Sequence, residues 1–161
     1  MYFGGDFVYY ADAVVFHDCA TGLTMNVEQN EVYQQVEKKY MKLKLAPQES
    51  VSLDLKGYIV PKPEGQEGLP YKLVITELIE MDQDLECDEK TIKTGRYAAL
   101  EDTLSLLPDY TWENMFNKGK WSMVDAGEMI LFSDSDTTYA HVDMWTGDLV
   151  FEDQTRYVKE K

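Results

Sequence analysis

This chain contains little cysteine, little proline and few basic residues. Its 161 residues include two cysteines and five prolines, and 15 basic residues stand against 30 acidic ones, for a net charge of −15. The excess is spread evenly, −8 over residues 1–93 and −7 over the rest. Such a surface repels phosphate, which excludes nucleic acid as an expected partner and disfavours binding to anionic lipid head groups.

Long apolar runs are also missing. No run approaches the roughly 18 residues that a transmembrane helix needs, and Met1 is not followed by the basic and apolar regions of a signal peptide. We therefore expect either a cytoplasmic protein or a mature form whose targeting segment has been removed. With 44% apolar residues, the chain can still bury the core of one domain or of two small ones.

The motifs of common enzyme classes do not occur. There is no G-x-S-x-G, no G-x-G-x-x-G and no P-loop, and the chain has only two histidines to serve as a base. Paired carboxylates are too abundant for any one pair to be informative. We predict a protein that is not an enzyme and that has no cofactor.

The first half predicts a mainly β, α+β domain with one helix. β-Branched and aromatic residues indicate strands, and apolar residues spaced by 4, 4 and 3 (Val32, Val36, Tyr40 and Leu43) indicate one helix face. In order, we predict strands over 7–16 and 23–27, a helix over 28–43, and strands over 51–60 and 71–81. This order fits a small curled barrel of the oligonucleotide/oligosaccharide-binding (OB) type, and we assign it to residues 1–88.

The second domain, residues 89–161, is predicted as an antiparallel β-meander. A polar, acidic segment over 82–94 is the expected linker, and short strand candidates follow at a spacing of about 8–12 residues. They cover 95–100, 110–116, 120–124, 129–132, 138–144 and 149–151. These strands are too few to close a large barrel alone, so we expect the meander to pack on or beside the first domain.

The cysteines allow two interpretations from the residues alone. Cys19 and Cys87 are either two buried, reduced thiols or one bridge across 68 residues, which would stabilise the fold by about 4 kcal/mol. His17 and Cys19, two residues apart, form a candidate soft-metal pair for copper(I) or zinc. The alternative is a turn with an exposed histidine and a structural cysteine.

Tyrosines on the predicted barrel strands offer a candidate ligand site. Aromatic side chains at a barrel mouth often bind small ligands, although such residues more often fill the core or pair across strands. The hypothesis is a small-ligand or glycan site formed by Tyr9, Tyr10, Tyr58 and Tyr71.

The opening segment resembles a known family. Tyr10-Ala11-Asp12-Ala13, Phe16 and Asp18-Cys19-Ala20-Thr21-Gly22 are similar to the start of the C-terminal domain of the NlpE family, which comprises copper-homeostasis and envelope-stress lipoproteins of Gram-negative bacteria. The similarity continues through the predicted helix and extends to Cys87, covering about residues 4–88. From Gly95 onward the chain faintly resembles a shortened form of the family's lipocalin-like barrel.

The resemblance implies several properties that the residues alone leave open. It implies an OB-like barrel, a Cys19–Cys87 disulfide and an oxidising compartment. The family's N-terminal barrel often carries a C-x-x-C motif suited to copper, which this chain lacks, and the order of the two domains is reversed. Copper binding is therefore not transferred to this chain.

These expectations combine into one hypothesis. The protein is a cell-envelope lipoprotein, periplasmic or at the outer membrane, held to the membrane only by a lipid anchor on a cysteine upstream of this sequence. Its barrel binds or senses an envelope protein or small ligand, and the bridge reports oxidising capacity. The alternatives are a small-ligand or glycan binder and a copper-buffering protein that uses His17, Cys19 and methionines.

Overall fold

The computed structural model describes residues 1–10, 13–63, 65, 67–82, 87, 93–125, 127–143 and 145–160, and for Tyr10 its backbone alone. The chain divides into two compact units. Unit 1 comprises Met1–Cys19 and Leu23–Cys87, and unit 2 comprises Ala20–Gly22 and Asp88–Lys161. Most of the predicted linker over 82–94 lies outside the described residues.

Unit 1 is a closed five-stranded barrel with one helix. Its elements are β1 (Tyr2–Tyr10), β2 (Ala13–Asp18), β3 (Thr24–Val27), α1 (Glu31–Lys42), β4 (Val51–Pro61) and β5 (Tyr71–Asp82). The strands pair in the order β1-β2-β3-β5-β4, and β4 pairs back onto β1. All pairs are antiparallel except β3 with β5. This confirms the predicted OB-like barrel with one helix.

The predicted strand over 7–16 is wrong in one respect. The structure forms a hairpin there, with Tyr10 at the end of β1 paired to Ala13 at the start of β2. β1 also begins earlier than predicted, at Tyr2. The prediction failed because this connection contains no glycine or proline, the residues that mark most turns in a sequence.

The core of unit 1 follows the alternation of its strands. On β1, Phe3, Gly5 and Phe7 are buried, and on β4 Leu53 and Leu55 are buried, while the residues that alternate with them are more exposed. Alternate residues of a strand point to opposite faces, so these side chains fill the barrel interior. The other fully buried large side chains of this unit are Phe16, Met25, Leu73 and Ile75.

Helix α1 covers the core with a stripe that differs slightly from the predicted one. The buried residues are Tyr33, Val36 and Tyr40, so Tyr33 takes the place predicted for Val32. The Tyr40 ring lies 5.5 Å from the Phe7 ring, centroid to centroid. At the N-terminus, the Asn30 side chain accepts a hydrogen bond from the Tyr33 amide at 2.8 Å, which satisfies one of the free amides of the first turn.

Unit 2 closes into a barrel of its own. Its strands are β6 (Gly95–Ala98), β7 (Thr103–Leu106), β8 (Thr111–Glu113), β9 (Lys118–Met123), β10 (Glu128–Phe132), β11 (Thr137–Val142), β12 (Leu149–Phe151) and β13 (Arg156–Lys159). These eight strands pair antiparallel in chain order, and β13 pairs with β6 to complete the ring. The expectation that this half has too few strands to close a large barrel alone is therefore wrong.

Two short strands account for that error. β7 and β13 were not predicted, since each has only four residues, too few to establish a pattern in the sequence. Together they supply the pairings β6–β7 and β13–β6, without which the ring stays open. The up-and-down order is that of eight-stranded barrels such as lipocalins; the lipocalin-like assignment itself stays a prediction.

Aromatic residues fill the interior of unit 2. Trp121 is fully buried, donates from its indole nitrogen to the Leu107 carbonyl at 3.1 Å, and packs on Tyr110 with ring centroids 4.8 Å apart. Tyr97 is also fully buried and donates to the Lys93 carbonyl at 2.6 Å. These bonds satisfy the polar atoms that the large side chains bring into the core.

Candidate functional site

A disulfide joins Cys19 to Cys87 in unit 1. Cys19 directly follows β2, Cys87 comes after β5, and their Cα atoms are 5.2 Å apart, within the usual range for a bridge. The disulfide that the family resemblance implied is thus confirmed. Both cysteines of the chain are used in it.

Backbone hydrogen bonds fix the position of Cys19. Its amide donates to the Gly4 carbonyl of β1 at 2.9 Å, and the amide of Asp18, a fully buried residue, donates to the Leu23 carbonyl at 2.8 Å. On the other side of the bridge, the Cys87 sulfur lies 4.0 Å from the His17 carbonyl oxygen. The bridge therefore links Cys87 to the end of β2, where hydrogen bonds to β1 hold the backbone in place.

Gly5 allows this arrangement to form. It pairs with Asp18 across the β1–β2 ladder. A Cβ atom at this position would overlap the carbonyl group of His17 and press on the Phe16 ring. The close approach of β1 to β2 beside the disulfide therefore requires a residue without a side chain.

The loop closed by the bridge contains three of the five barrel strands and the helix. The separation of 68 residues spans β3, α1, β4 and β5. A cross-link of that length lowers the entropy of the unfolded chain and stabilises the fold by about 4 kcal/mol. Because small domains are stable by only about 5–15 kcal/mol in total, the redox state of this one bond decides a large share of the stability of unit 1.

Reagents can approach the bridge. Cys19 and Cys87 are both half-buried, neither enclosed in the core nor fully exposed. Reduction by a dithiol proceeds through attack of a thiolate on one sulfur, formation of a mixed disulfide and release of the second cysteine as a thiol. The reductant leaves as a disulfide, and the protein keeps two thiols.

His17 and Cys19, the predicted metal ligands, both have other partners in the structure. The His17 Nδ1 atom lies 3.1 Å from the Thr24 hydroxyl across the β2–β3 pair. The Cys19 sulfur is bonded to Cys87, so a metal could use it only in the reduced protein. Within the described residues, no three His, Cys, Asp or Glu side chains are grouped to hold a metal ion. Metal binding stays an untested hypothesis.

The four tyrosines of the predicted ligand site do not share one face. Tyr9 lies on the core side of β1, where it stacks on Tyr40 with ring centroids 6.4 Å apart. Tyr71 begins β5 in register with its inward residues, whereas Tyr58 points outward from β4 and is 50% exposed. Tyr10 ends β1, and its side chain lies outside the described residues. Ligand binding by these tyrosines stays a prediction.

A surface cavity occurs on unit 2, a region that the sequence did not mark as a site. Its volume is about 460 Å³. It lies over β10, β11 and β12 and is lined by Glu128, Tyr139, Ala140, His141, Val150, Phe151, Glu152 and Gln154. Because these residues are spread over 27 positions and brought together by cross-strand pairing, no local pattern in the sequence could have identified them.

The sequence also did not mark a charged cluster around Arg156. The guanidinium group donates to the buried carboxylate of Asp148 at 2.7 and 2.9 Å and to Asp143 at 3.1 Å. Burial raises the pKa of Asp148, but the bonds from Arg156 and from the Lys159 amide outweigh it and hold that pKa below its usual value. Backbone bonds from Trp145 and Thr146 lower the pKa of Asp143. The cluster closes the β11–β12 connection and has a structural role.

No helix in the described part of the chain has the length and hydropathy of a membrane span. A family model described as the NlpE C-terminal OB domain matches residues 1–88, the segment that contains the five-stranded barrel and both cysteines. No curated protein and no solved structure matches the chain significantly.

Proposed function

The chain belongs to the family of the NlpE C-terminal OB domain, and from this membership we propose that unit 1 is a redox-responsive binding domain of the cell envelope. Members of the family are envelope-stress-related lipoprotein domains of Gram-negative bacteria, and the family is not known for enzymatic activity. The response proposed here is a change in the stability of the barrel when its disulfide is reduced.

The observation that supports this proposal is the position of the disulfide. It is half-buried and closes a loop of 68 residues around most of the barrel. Loss of the bond removes about 4 kcal/mol by the chain-entropy estimate, without removing any side chain from the core. A failure of disulfide formation in the envelope would therefore convert unit 1 from a stable barrel to a marginal one.

Chemical denaturation tests the coupling between bond and barrel. In urea, the free energy of unfolding of unit 1 should be about 2–4 kcal/mol lower in the reduced protein than in the oxidised protein. Amide exchange in β1–β5 reports on unit 1, whereas all three tryptophans (Trp112, Trp121 and Trp145) belong to unit 2 and serve as an internal control. Equal stability in the two redox states would refute the proposal.

A reporter of envelope stress tests the function in cells. The variants Cys19→Ser, Cys87→Ser and the double variant should each change the reporter signal to the level that a dithiol produces with the unaltered protein. The double variant should no longer respond to the dithiol. An unaltered response in that variant would mean that the bridge is structural and that the signal arises elsewhere.

We propose that a lipid-modified cysteine upstream holds the domain at a membrane of the envelope, and mass spectrometry of the native protein tests this.

Thermal shift against a glycan panel tests ligand binding, since a ligand at 100 times its Kd adds about 2.7 kcal/mol. Copper(I) titration of the reduced protein tests copper buffering, and absence of a micromolar site would dismiss it.

A further inference from the structure

One end of the unit 2 barrel carries an apolar surface that its fold does not use. In an up-and-down barrel, alternate connections lie at the same end. The connections 99–102, 114–117, 133–136 and 152–155 therefore form one rim. The first two are neighbours, since they are separated by the paired strands β7 and β8.

Three large apolar side chains project from those two neighbouring connections. Leu100 is fully exposed, Phe116 is 76% exposed and Met115 is 69% exposed. We call these three residues the apolar tip. Single exposed apolar residues are common on protein surfaces, but a group on adjacent turns marks a surface for interaction.

The turns that carry the apolar tip are held by hydrogen bonds. The Asn114 side chain accepts from the Phe116 amide at 3.0 Å and from the Asn117 amide at 2.7 Å. In the other turn, the Ala99 amide donates to the Asp102 carbonyl at 2.9 Å. These bonds fix the backbone on both sides of the exposed side chains, so little conformational entropy would be lost on binding.

A second set of bonds joins the two turns to each other. The Asn114 side chain donates to the Asp102 carboxylate at 2.9 Å, and the Tyr157 hydroxyl donates to the same carboxylate oxygen at 2.9 Å. The spacing between Leu100 and Phe116 is therefore set by the barrel. A preformed apolar face of a partner can match a pair of apolar side chains whose spacing is fixed.

The rim around the apolar tip is acidic. Its connections and the residues next to them contain two bases, Lys118 and Arg156, and Arg156 is already paired with Asp143 and Asp148. The acids of the rim outnumber them; they are Glu101, Asp102, Glu113, Asp134, Asp136, Glu152 and Asp153. Charge complementarity thus favours a basic partner.

We propose that the apolar tip binds a protein partner that presents an apolar face bordered by lysine and arginine side chains. Leu100 and Phe116 pack on that face, and the acidic rim meets its basic border. A bilayer is the less favourable occupant, because insertion of the tip would bring Glu101 and Glu113 against the membrane surface and desolvate their carboxylates. The proposal concerns unit 2 and does not depend on the redox function of unit 1.

Fluorescence anisotropy with a labelled amphipathic helical peptide of leucine and lysine tests this surface in the full chain. The double variant Leu100→Ser/Phe116→Ser should weaken binding by about tenfold or more, since each apolar side chain loses its buried area. The matched control Val124→Ser/Trp145→Ser removes exposed apolar side chains at the opposite end of the barrel and should leave the affinity within about twofold. Equal effects of the two variants would overturn the proposal.

Two further measurements address charge and membrane binding. Glu101→Gln should weaken binding of the lysine peptide, whereas Glu128→Gln at the opposite end should not, and a leucine–glutamate peptide of the same length should not bind. Binding of that acidic peptide would overturn the proposal. Tip-dependent binding to phosphatidylethanolamine vesicles with no binding to the lysine peptide would assign the tip to membrane and also overturn it. An unchanged Tm of each variant confirms its fold.

Discussion

Asp148 is a buried carboxylate whose charge is balanced by Arg156 and by the Lys159 amide. Asp148→Asn removes the charge that Arg156 pairs with while keeping the size of the side chain. We expect the free energy of unfolding of unit 2 to fall by about 1.5–3 kcal/mol, the range for hydrogen bonds to charged groups. Urea unfolding followed by tryptophan fluorescence measures it, because the tryptophans lie in unit 2.

The control for this variant is Asp134→Asn, which neutralises an exposed aspartate in the β10–β11 turn. Substitutions at such positions usually change stability by less than about 0.5 kcal/mol. If both variants were equally stable, the Arg156 cluster would contribute no more to the fold than an ordinary surface charge.

Gly5 makes a second prediction for a single residue. Gly5→Ala places a methyl group against the His17 carbonyl, a backbone atom that cannot move without opening the β1–β2 ladder. We expect a loss of about 1–3 kcal/mol in unit 1, as overpacking gives in other cores. Gly4→Ala is the comparison; its Cβ would meet the end of the Asp54 side chain at 3.0 Å, which can move aside.

Amide exchange of β1 and β2 measures the effect of both variants. The Cys19 amide, which bonds to Gly4, should exchange faster in Gly5→Ala than in Gly4→Ala. The opposite order would mean that the segment beside the disulfide tolerates a side chain and is not held as tightly as its backbone contacts indicate.

Both polar atoms of the Asn30 side-chain amide help to anchor helix α1. Its oxygen caps the helix, and its nitrogen donates to the Ile75 carbonyl of β5 at 2.7 Å. Asn30→Ala removes both bonds and should destabilise unit 1 by about 1–2 kcal/mol. Asn30→Asp keeps the cap and removes the bond to β5.

Circular dichroism during urea unfolding separates these two roles. If the bond to Ile75 matters, Asn30→Asp should be less stable than the parent protein despite its intact cap. An Asn30→Asp protein as stable as the parent would show that the cap alone anchors the helix. Val32, which is only half-buried, offers a control on the helix face through Val32→Ala.

The elements also show how far the sequence predicts this fold. The long elements were predictable: β4, β5 and α1 all lie close to their predicted positions, because each extends over eleven or twelve residues and contains a stretch of alternation or helical spacing. Short strands were not. The pairing of β13 with β6 closes the second ring across about 60 residues, and no local pattern records such a contact.

The sequence predicts one part of the candidate site, the disulfide. With only two cysteines, one pairing is possible, and the family resemblance supplied the expectation that it forms. The faces of Tyr9, Tyr58 and Tyr71 were not predictable, because they depend on register and on the bulges in the β4–β5 pair. A shift by one residue moves a side chain to the other face of a strand.

The whole molecule should lose stability in acid through unit 2. The pKa values of Asp143, Asp148 and Asp153 are all held below their ordinary value of 3.8. A carboxylate whose pKa is lower in the folded state stabilises the fold above its unfolded pKa, and this contribution is lost as pH falls through the folded pKa. We expect the free energy of unfolding of unit 2, measured by tryptophan fluorescence, to decrease below about pH 4.

Asp148→Asn provides the check on that assignment. Without the titrating carboxylate, the stability of unit 2 should depend less on pH in this range, even though the variant is less stable at neutral pH. An acid transition of unchanged steepness would place the responsible groups elsewhere.

The long separation of the two cysteines has a consequence for biogenesis. A chain that crosses a membrane N-terminus first delivers Cys19 early and Cys87 only 68 residues later, an interval of several seconds at synthesis rates of about 5–20 residues per second. During that interval the lone thiol has no correct partner. Because Cys87 follows β5, the bridge can form only after all five strands of the unit 1 barrel have been synthesised, so an oxidised molecule is one in which this barrel has its complete set of strands.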